Sequence, residues 1–378
     1  MMTLVSAILA VLLAGSLIYC VLVMVATWRY RAATLPVAGV LPPISVLRPL
    51  CGCHEGLEEN LRSFFAQDYP DFEVLLAVHR ESDPAVAVAK KVMAEFSDKI
   101  SVRLIVTGDS PVPNAKSYSL GRLVREARHE LLVMGDSDVR VPPDLLAHLA
   151  REMADPRVGL ITCPYRAVSG PSVWSRMEAI GMNTELLGGV LVARMLEGMK
   201  FALGCTVAVR RAVLEEMGGF AYLQGFLAED FVLGQRAAEL GHEVVLSSAI
   251  IEHRIGSQSM GHNLNHRLRW ARSTRRSRPA GYWGQAFTYT LPLALLFWAT
   301  LSSAWPFVLM AVALRYGAAL ATSEFVLHDR LLWRQWWLLP AQDLLGFLAW
   351  IGGFLGDTVV WGGRKCVVLS DGRLQADS

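Results

Sequence analysis

Leu131-Leu132-Val133-Met134-Gly135-Asp136-Ser137-Asp138 is an apolar run that stops abruptly on two carboxylates separated by one residue. A short apolar run of this kind, bounded by a turn signal, reads as a strand buried in a sheet. Ligands of open α/β sheets bind beyond the carboxyl ends of the strands, which puts Asp136 and Asp138 at the rim of a site. Two carboxylates there can share a divalent cation that also takes diphosphate oxygens. The same residue types favour turns and caps, and Pro142-Pro143-Asp144 opens a helix soon after, so the neighbours must decide.

Outward from that strand, further apolar runs at 44–47, 74–78, 102–106, 159–163 and 206–209 alternate with helical patterns at 57–66, 84–96 and 230–240. Alternation of this kind predicts an α/β domain, here over 44–256. Asp83 follows the second strand, where Ser82-Asp83-Pro84 starts a helix; Asn114 and Lys116 follow the third. All three lie after strand ends of one sheet, where a nucleotide would sit. Ala228-Glu229-Asp230-Phe231 opens the 230–240 helix. Displacement at an anomeric carbon needs a base for the incoming hydroxyl, and Asp230 is the residue assigned to it, because Glu229 would more naturally point away or brace it.

The chain has 378 residues, 53% of them hydrophobic, and a formal net charge of +2. That balance lacks the basic footprint of a nucleic-acid binder, and the composition places part of the chain in lipid. Residues 1–28 carry no charge and are followed by Arg29 and Arg31, which predicts a spanning helix with the following domain in the cytoplasm. A linker is expected over 29–43. A second charge-free stretch runs from Arg278 to Arg315 and holds two helices near 286–301 and 305–322, turning at Ser302-Ser303. Arg315 must face another helix, snorkel or line a lipid path. The run 337–361 is broken by Pro340, Asp343, Gly352, Gly353 and Asp357, suiting a span or a re-entrant hairpin. The expected membrane region is 286–361, with a tail at 362–378.

Between these regions, 257–285 forms a basic juxtamembrane segment with six arginines in 267–278. Arg272, Arg275, Arg276 and Arg278 read as a collar on anionic headgroups. Arg269 and Trp270 suit either an interfacial helix with an aromatic anchor, or a guanidinium for diphosphate oxygens beside an indole floor for sugar or acceptor. The six cysteines include only one close pair, Cys51-Gly52-Cys53, which has the spacing of neither a redox nor a zinc motif.

Assembled, these residues resemble the ceramide glucosyltransferase family, glycosyltransferase family 21, including its bacterial hopanoid-associated members. The resemblance rests on Ser45-Val46-Leu47-Arg48-Pro49-Leu50-Cys51-Gly52, on Gln67-Asp68-Tyr69-Pro70, Asp83-Pro84-Ala85 and Asn114-Ala115-Lys116. Asp136-Ser137-Asp138, Glu229-Asp230, Arg269-Trp270 and the flanking apolar helices complete it. It implies a GT-A, Rossmann-like nucleotide-sugar domain with N- and C-terminal transmembrane helices. Asp83 and Asp136 would be the first two family aspartates and Asp230 the third, with 266–270 as the Q/R-x-x-R-W element. His266 departs from that pattern. The implied reaction is inverting transfer from a UDP-sugar to a membrane-lipid hydroxyl, with Mg2+ or Mn2+ at Asp136 and Asp138 and with Asp83, Asn114, Lys116, Asp136, Arg269 and Trp270 on the donor. UDP-glucose and ceramide are the first choice of substrates; UDP-N-acetylglucosamine and a hopanoid are the second. The implied location is integral and multi-pass, in a bacterial inner membrane or on the cytosolic face of the Golgi. Two other classes compete: a processive polysaccharide synthase, for which so few membrane segments make a poor channel, and a non-catalytic scaffold, which would have no use for all of these residues together.

Overall fold

A computed structural model describes residues 3–31, 41–361 and 364–376, so most of the linker expected at 29–43 lies outside the described residues. The chain divides into two compact units. One comprises Thr34–Tyr165, Met199–Gly256 and Thr358–Ser378; the other comprises Met1–Ala33, Arg166–Gly198 and Ser257–Asp357.

The first unit is built on a sheet whose strands are Ile44–Pro49 (β1), Phe72–Val78 (β2), Ser101–Val106 (β3) and Leu131–Gly135 (β4). The chain continues through Val139–Arg140 (β5), Val158–Thr162 (β6), Tyr165–Ser169 (β7), Thr206–Arg210 (β8), Glu243–Leu246 (β9) and Ile251–Gly256 (β10). Seven strands form one sheet in the order β3-β2-β1-β4-β8-β6-β9. β1 pairs in parallel with both β2 and β4, and every residue of β2 and β4 is buried. Strands covered on both faces read as continuous apolar runs without alternation, which is why β4 could be found in the sequence. The parallel strands deliver their carboxyl ends to one edge, and Asp136-Ser137-Asp138 is the turn at the end of β4. Beyond it, β5 pairs antiparallel with β10, bringing Val139 opposite His253. Asn114 caps the helix Ala115–Glu126 by accepting from Ser117 N.

Two corrections concern the domain limits. The tail expected at 362–378 is a sheet: Thr358–Trp361 (β11), Arg364–Val368 (β12) and Leu374–Ala376 (β13) pair antiparallel in that order. Thr358–Trp361, the last residues of the membrane region expected at 286–361, are thus part of that sheet. The expected continuous domain over 44–256 is also interrupted, because Arg166–Gly198 belongs to the other unit.

In that second unit, three helical stretches among the described residues are long and apolar enough to cross a membrane: Leu4–Arg31, Val173–Glu197 and Ser302–Val326. Thr290–Thr300, with 11 residues, rises about 16 Å, roughly half of a ~30 Å hydrocarbon core, so the helix expected at 286–301 is no span by itself. The turn expected at Ser302-Ser303 is a short 3-10 segment, Ser302–Ala304. Val173–Glu197 escaped the sequence analysis because it holds Arg176, Glu178, Glu185, Arg194 and Glu197. Glu178 meets Asn263 and His266, and Arg194 lies over the Tyr30 ring, so charges that hide the apolar signal are spent on neighbouring helices. Arg315 faces another helix: it forms a two-pronged ion pair with Asp343, both contacts at 2.8 Å.

The lipid collar is the third correction. Arg272 donates to Leu355 O, Arg275 and Arg276 bind Asp357, and Arg278 binds Glu197 at 2.8 Å. The helix Met260–Ser277 thus uses its arginines to satisfy the carbonyls and acid that follow the helix Leu338–Gly352.

Candidate active site

The end of β4 is shaped by what lies behind it. A Cβ on Gly135 would fall 2.5 Å from Arg48 Nη1 and 3.0 Å from the Phe64 ring, so only glycine fits at that position. Arg48 is fully buried, its guanidinium 3.8 Å from the Phe64 ring centre, with Nε and Nη1 lacking hydrogen-bond partners. Burial pulls its pKa down to about 9, and the charges of Asp136 and Asp138 resist that pull. A cation stands behind the acidic turn.

Asp136 and Asp138 are held differently. Lys116 Nζ lies 2.7 Å from Asp136 Oδ1 and 3.1 Å from Glu229 Oε1. Burial and the neighbouring Asp138 push the Asp136 carboxyl up, against the pull of Lys116. Burial acts on Asp138 in the same direction, but the charge and hydrogen bond of His253, 3.3 Å away, outweigh it and hold the carboxyl at about 2. Asp138 is the standing anion of the pair, and its Oδ1 is buried without a partner. The turn is further fixed by His54 on Ser137 Oγ at 3.0 Å and Asn60 on Ser137 O at 3.2 Å.

A divalent cation fits here in one respect: an ionised, unpartnered carboxylate oxygen one residue from a second carboxylate is a hard-oxygen donor set. No group of three His, Cys, Asp or Glu side chains forms a cage among the described residues. The protein would supply two carboxylates, and diphosphate oxygens and water would complete the shell.

Asp230 enters the same cleft, lined by Lys116, Asp136, Gly204, Phe220, Glu229 and Asp230 among others. Its carboxyl is pushed up to about 6 by burial and by the negative Glu229, with Lys116 pulling the other way. Its seat is tight. A Cβ on Gly204 would be 2.6 Å from Asp230 Oδ2, and one on Gly234 would strike the backbone of Phe201 and Ala202 at 2.3 Å. Phe201 stacks on Phe231, ring centres 6.0 Å apart.

The structure therefore brings together Lys116, Asp136 and Asp230 around Glu229, with Asp138 at the end of the same turn, held by His253. Asn114, expected to touch the donor, is fully buried: its amide donates to Phe226 O and Glu229 Oε2 while its oxygen caps a helix, leaving it to brace the acidic helix. Asp83 is not among the residues lining the cleft; it accepts from Gly52 N at 3.0 Å and Ala85 N at 2.8 Å, tying the loop after β1 to a helix start. Arg269 and Trp270 lie on Met260–Ser277 in the other unit, where Trp270 packs 5.1 Å from His266 and His266 bonds Glu178. Sequence reasoning missed His253, Gly204 and the role of Arg48. Arg48 had a signal, a lone basic residue inside an apolar strand, while His253 and Gly204 act through non-local contacts.

The family described as Glycosyl transferase family 21 matches residues 8–374. Ceramide glucosyltransferase 3 of Caenorhabditis elegans is 25% identical over 233 residues, covering 61% of this chain and 50% of that protein. Ceramide glucosyltransferase 1 of the same organism is 26% identical over 210 residues, covering 55% and 44%. The chain thus spans about half the length of these curated relatives. Among solved structures, a mannosyltransferase from Pyrobaculum calidifontis, in complex with GDP-Man and Mn2+, aligns over 93% of this chain and 99% of its own at 20% identity and TM-score 0.55. That likeness shows a shared GT-A fold. With a parallel sheet ending in Asp136-Ser137-Asp138, apolar helices in the second unit and a family match over nearly the whole length, the chain belongs to glycosyltransferase family 21.

Proposed function

We propose that this glycosyltransferase moves a hexose from a UDP-sugar to the hydroxyl of a membrane lipid in one inverting displacement, with UDP-glucose and ceramide as the first pair of substrates. The observation that carries the reading is one cleft holding Asp136 and a separate carboxyl, Asp230, near pKa 6, with the standing anion Asp138 two residues beyond Asp136 on the same turn. The ceramide glucosyltransferase relatives support the choice of acceptor.

In this reading Asp136 and Asp138 hold a divalent cation, Mg2+ or Mn2+, whose chemistry when bound is to neutralise charge on the departing diphosphate. Lys116 fixes Asp136 and Glu229 and adds positive potential beside the leaving group. Asp230 Oδ takes the proton of the attacking hydroxyl. Asp83 anchors the loop on which the nucleoside rests. The apolar helices keep the acceptor at membrane depth, with the catalytic unit in the cytoplasm.

Three measurements follow from this assignment. Purified enzyme given a panel of UDP-sugars and total membrane lipid is expected to yield one glycolipid heavier than its acceptor by a single hexose; a polymer ladder in the mass spectrum would reject the lipid-transfer reading. Chelation by excess EDTA is expected to stop turnover and added Mg2+ or Mn2+ to restore it, whereas undiminished turnover in EDTA removes the cation from the reaction. Gly204→Ala places a methyl 2.6 Å from Asp230 Oδ2, too close for the carboxyl to stay where it is. Turnover should fall roughly a hundredfold at nearly unchanged UDP affinity, because displacing a reacting group by about 1 Å costs that much.

A further inference from the structure

The C-terminal sheet ends against the loop that leads into Asp230. Leu374 N donates to Gly225 O at 2.8 Å and Leu227 N donates to Gly372 O at 3.4 Å. Between them Phe226 pairs with Arg373 as an antiparallel bridge, and the Arg373 guanidinium lies 5.7 Å from the Phe226 ring centre. The Leu227 side chain is buried among Val359, Cys366, Val368 and Leu374, residues drawn from all three strands. On its other side the loop is held by Asn114, which donates to Phe226 O at 2.8 Å. Ala228 then turns the chain with φ −99° and ψ 65°, and Glu229 begins the helix that carries Asp230.

A loop with one free edge samples several positions on the surface. Residues 225–227 have no free edge: backbone hydrogen bonds fix one side, an amide fixes the other, and the Leu227 side chain anchors the end. We infer that the β11-β12-β13 sheet is a positioning clamp, in which the last strand fixes residues 225–227 and through them the place of Asp230 in the cleft. The inference rests on the assignment of Asp230 as the base. The clamp bonds directly to the residues that lead into the helix of Asp230, so its release acts first on the acceptor half of the reaction.

Leu374→Pro in the full chain tests it. Proline deletes the N–H that reaches Gly225 O, while Arg373 O still accepts from Leu369 N on the opposite edge. Turnover is expected to fall roughly ten- to a hundredfold with UDP affinity within about twofold, and amide exchange at 225–230 should accelerate while 131–135 stays protected. Leu374→Ala keeps the donor and should lose less. Unchanged turnover in Leu374→Pro overturns the clamp, and so does a parallel fall of turnover, UDP affinity and melting temperature in both variants. Should Leu374→Pro not fold, the unaltered enzyme still decides: the Leu227 and Leu374 amides should exchange as slowly as those of β4, and exchange at the rate of open loops overturns the clamp. Inactive Asp230→Asn beside normal Leu374→Pro retires the clamp alone. Active Asp230→Asn retires the base assignment instead.

Discussion

Asp230→Asn is expected to lower turnover by about 10²–10⁴-fold, the usual contribution of a positioned general base, with UDP affinity almost unchanged. Asn keeps the shape that fits against Gly204 but has no carboxylate to accept a proton. The fall will not come from unfolding. Burial and Glu229 raise the folded pKa of Asp230 above its ordinary value, so its ionisation opposes folding once pH rises through that interval, and a neutral amide removes the opposition. The pH profile carries the same signature. Below about pH 6 the carboxyl is protonated and cannot act, so turnover should rise about tenfold per pH unit up to that point and then level. A flat profile between pH 5 and 7, or an Asn enzyme within about threefold of the parent, would falsify the assignment.

The second large effect concerns stability. Arg315 and Asp343 are 6% and 2% exposed, and Arg315 also donates to Thr184 Oγ1 at 3.2 Å. A fork-to-fork pair of this kind compensates both charges inside an apolar helix bundle. Arg315→Met leaves Asp343 buried and unpaired, at a cost of about 3–5 kcal/mol, seen as a marked drop in the melting temperature of the detergent-solubilised enzyme. Arg315→Met combined with Asp343→Leu removes both charges and should recover most of the loss, because apolar replacement of a whole buried pair is near neutral. If the double variant melts as low as the single one, mutual compensation is not what keeps these residues in place.

What the sequence made legible were features written locally. β1, β2, β4 and β8 were found within two residues of their limits because buried strands are continuous apolar runs, and the acidic turn was found because it interrupts one. Asp230 was found because Ala228-Glu229-Asp230-Phe231 sets two acids at the opening of a helix. Other features needed a partner far along the chain. The helices within Val173–Glu197 look too charged to be apolar until Glu178 is seen against His266 and Asn263. β11 looks like the end of a membrane run because Val359, Val360 and Trp361 are apolar, yet they serve a sheet. Arg272, Arg275, Arg276 and Arg278 have the composition of a lipid collar but answer to Leu355, Asp357 and Glu197. His266 is also explained by pairing: where the family pattern has Gln or Arg, this chain sets an imidazole against Glu178. Arg48 is the residue whose meaning was least accessible, since a cation in a buried strand makes sense only once Asp136 and Asp138 are known to stand in front of it.

The anomeric configuration of the product tests the mechanism most directly. With an α-linked UDP-hexose and membrane lipid as substrates, proton NMR of the purified glycolipid should give the large H1–H2 coupling of a β-linked sugar, made by one displacement with Asp230 taking the proton. An α-linked product would contradict that single displacement and the role given to Asp230.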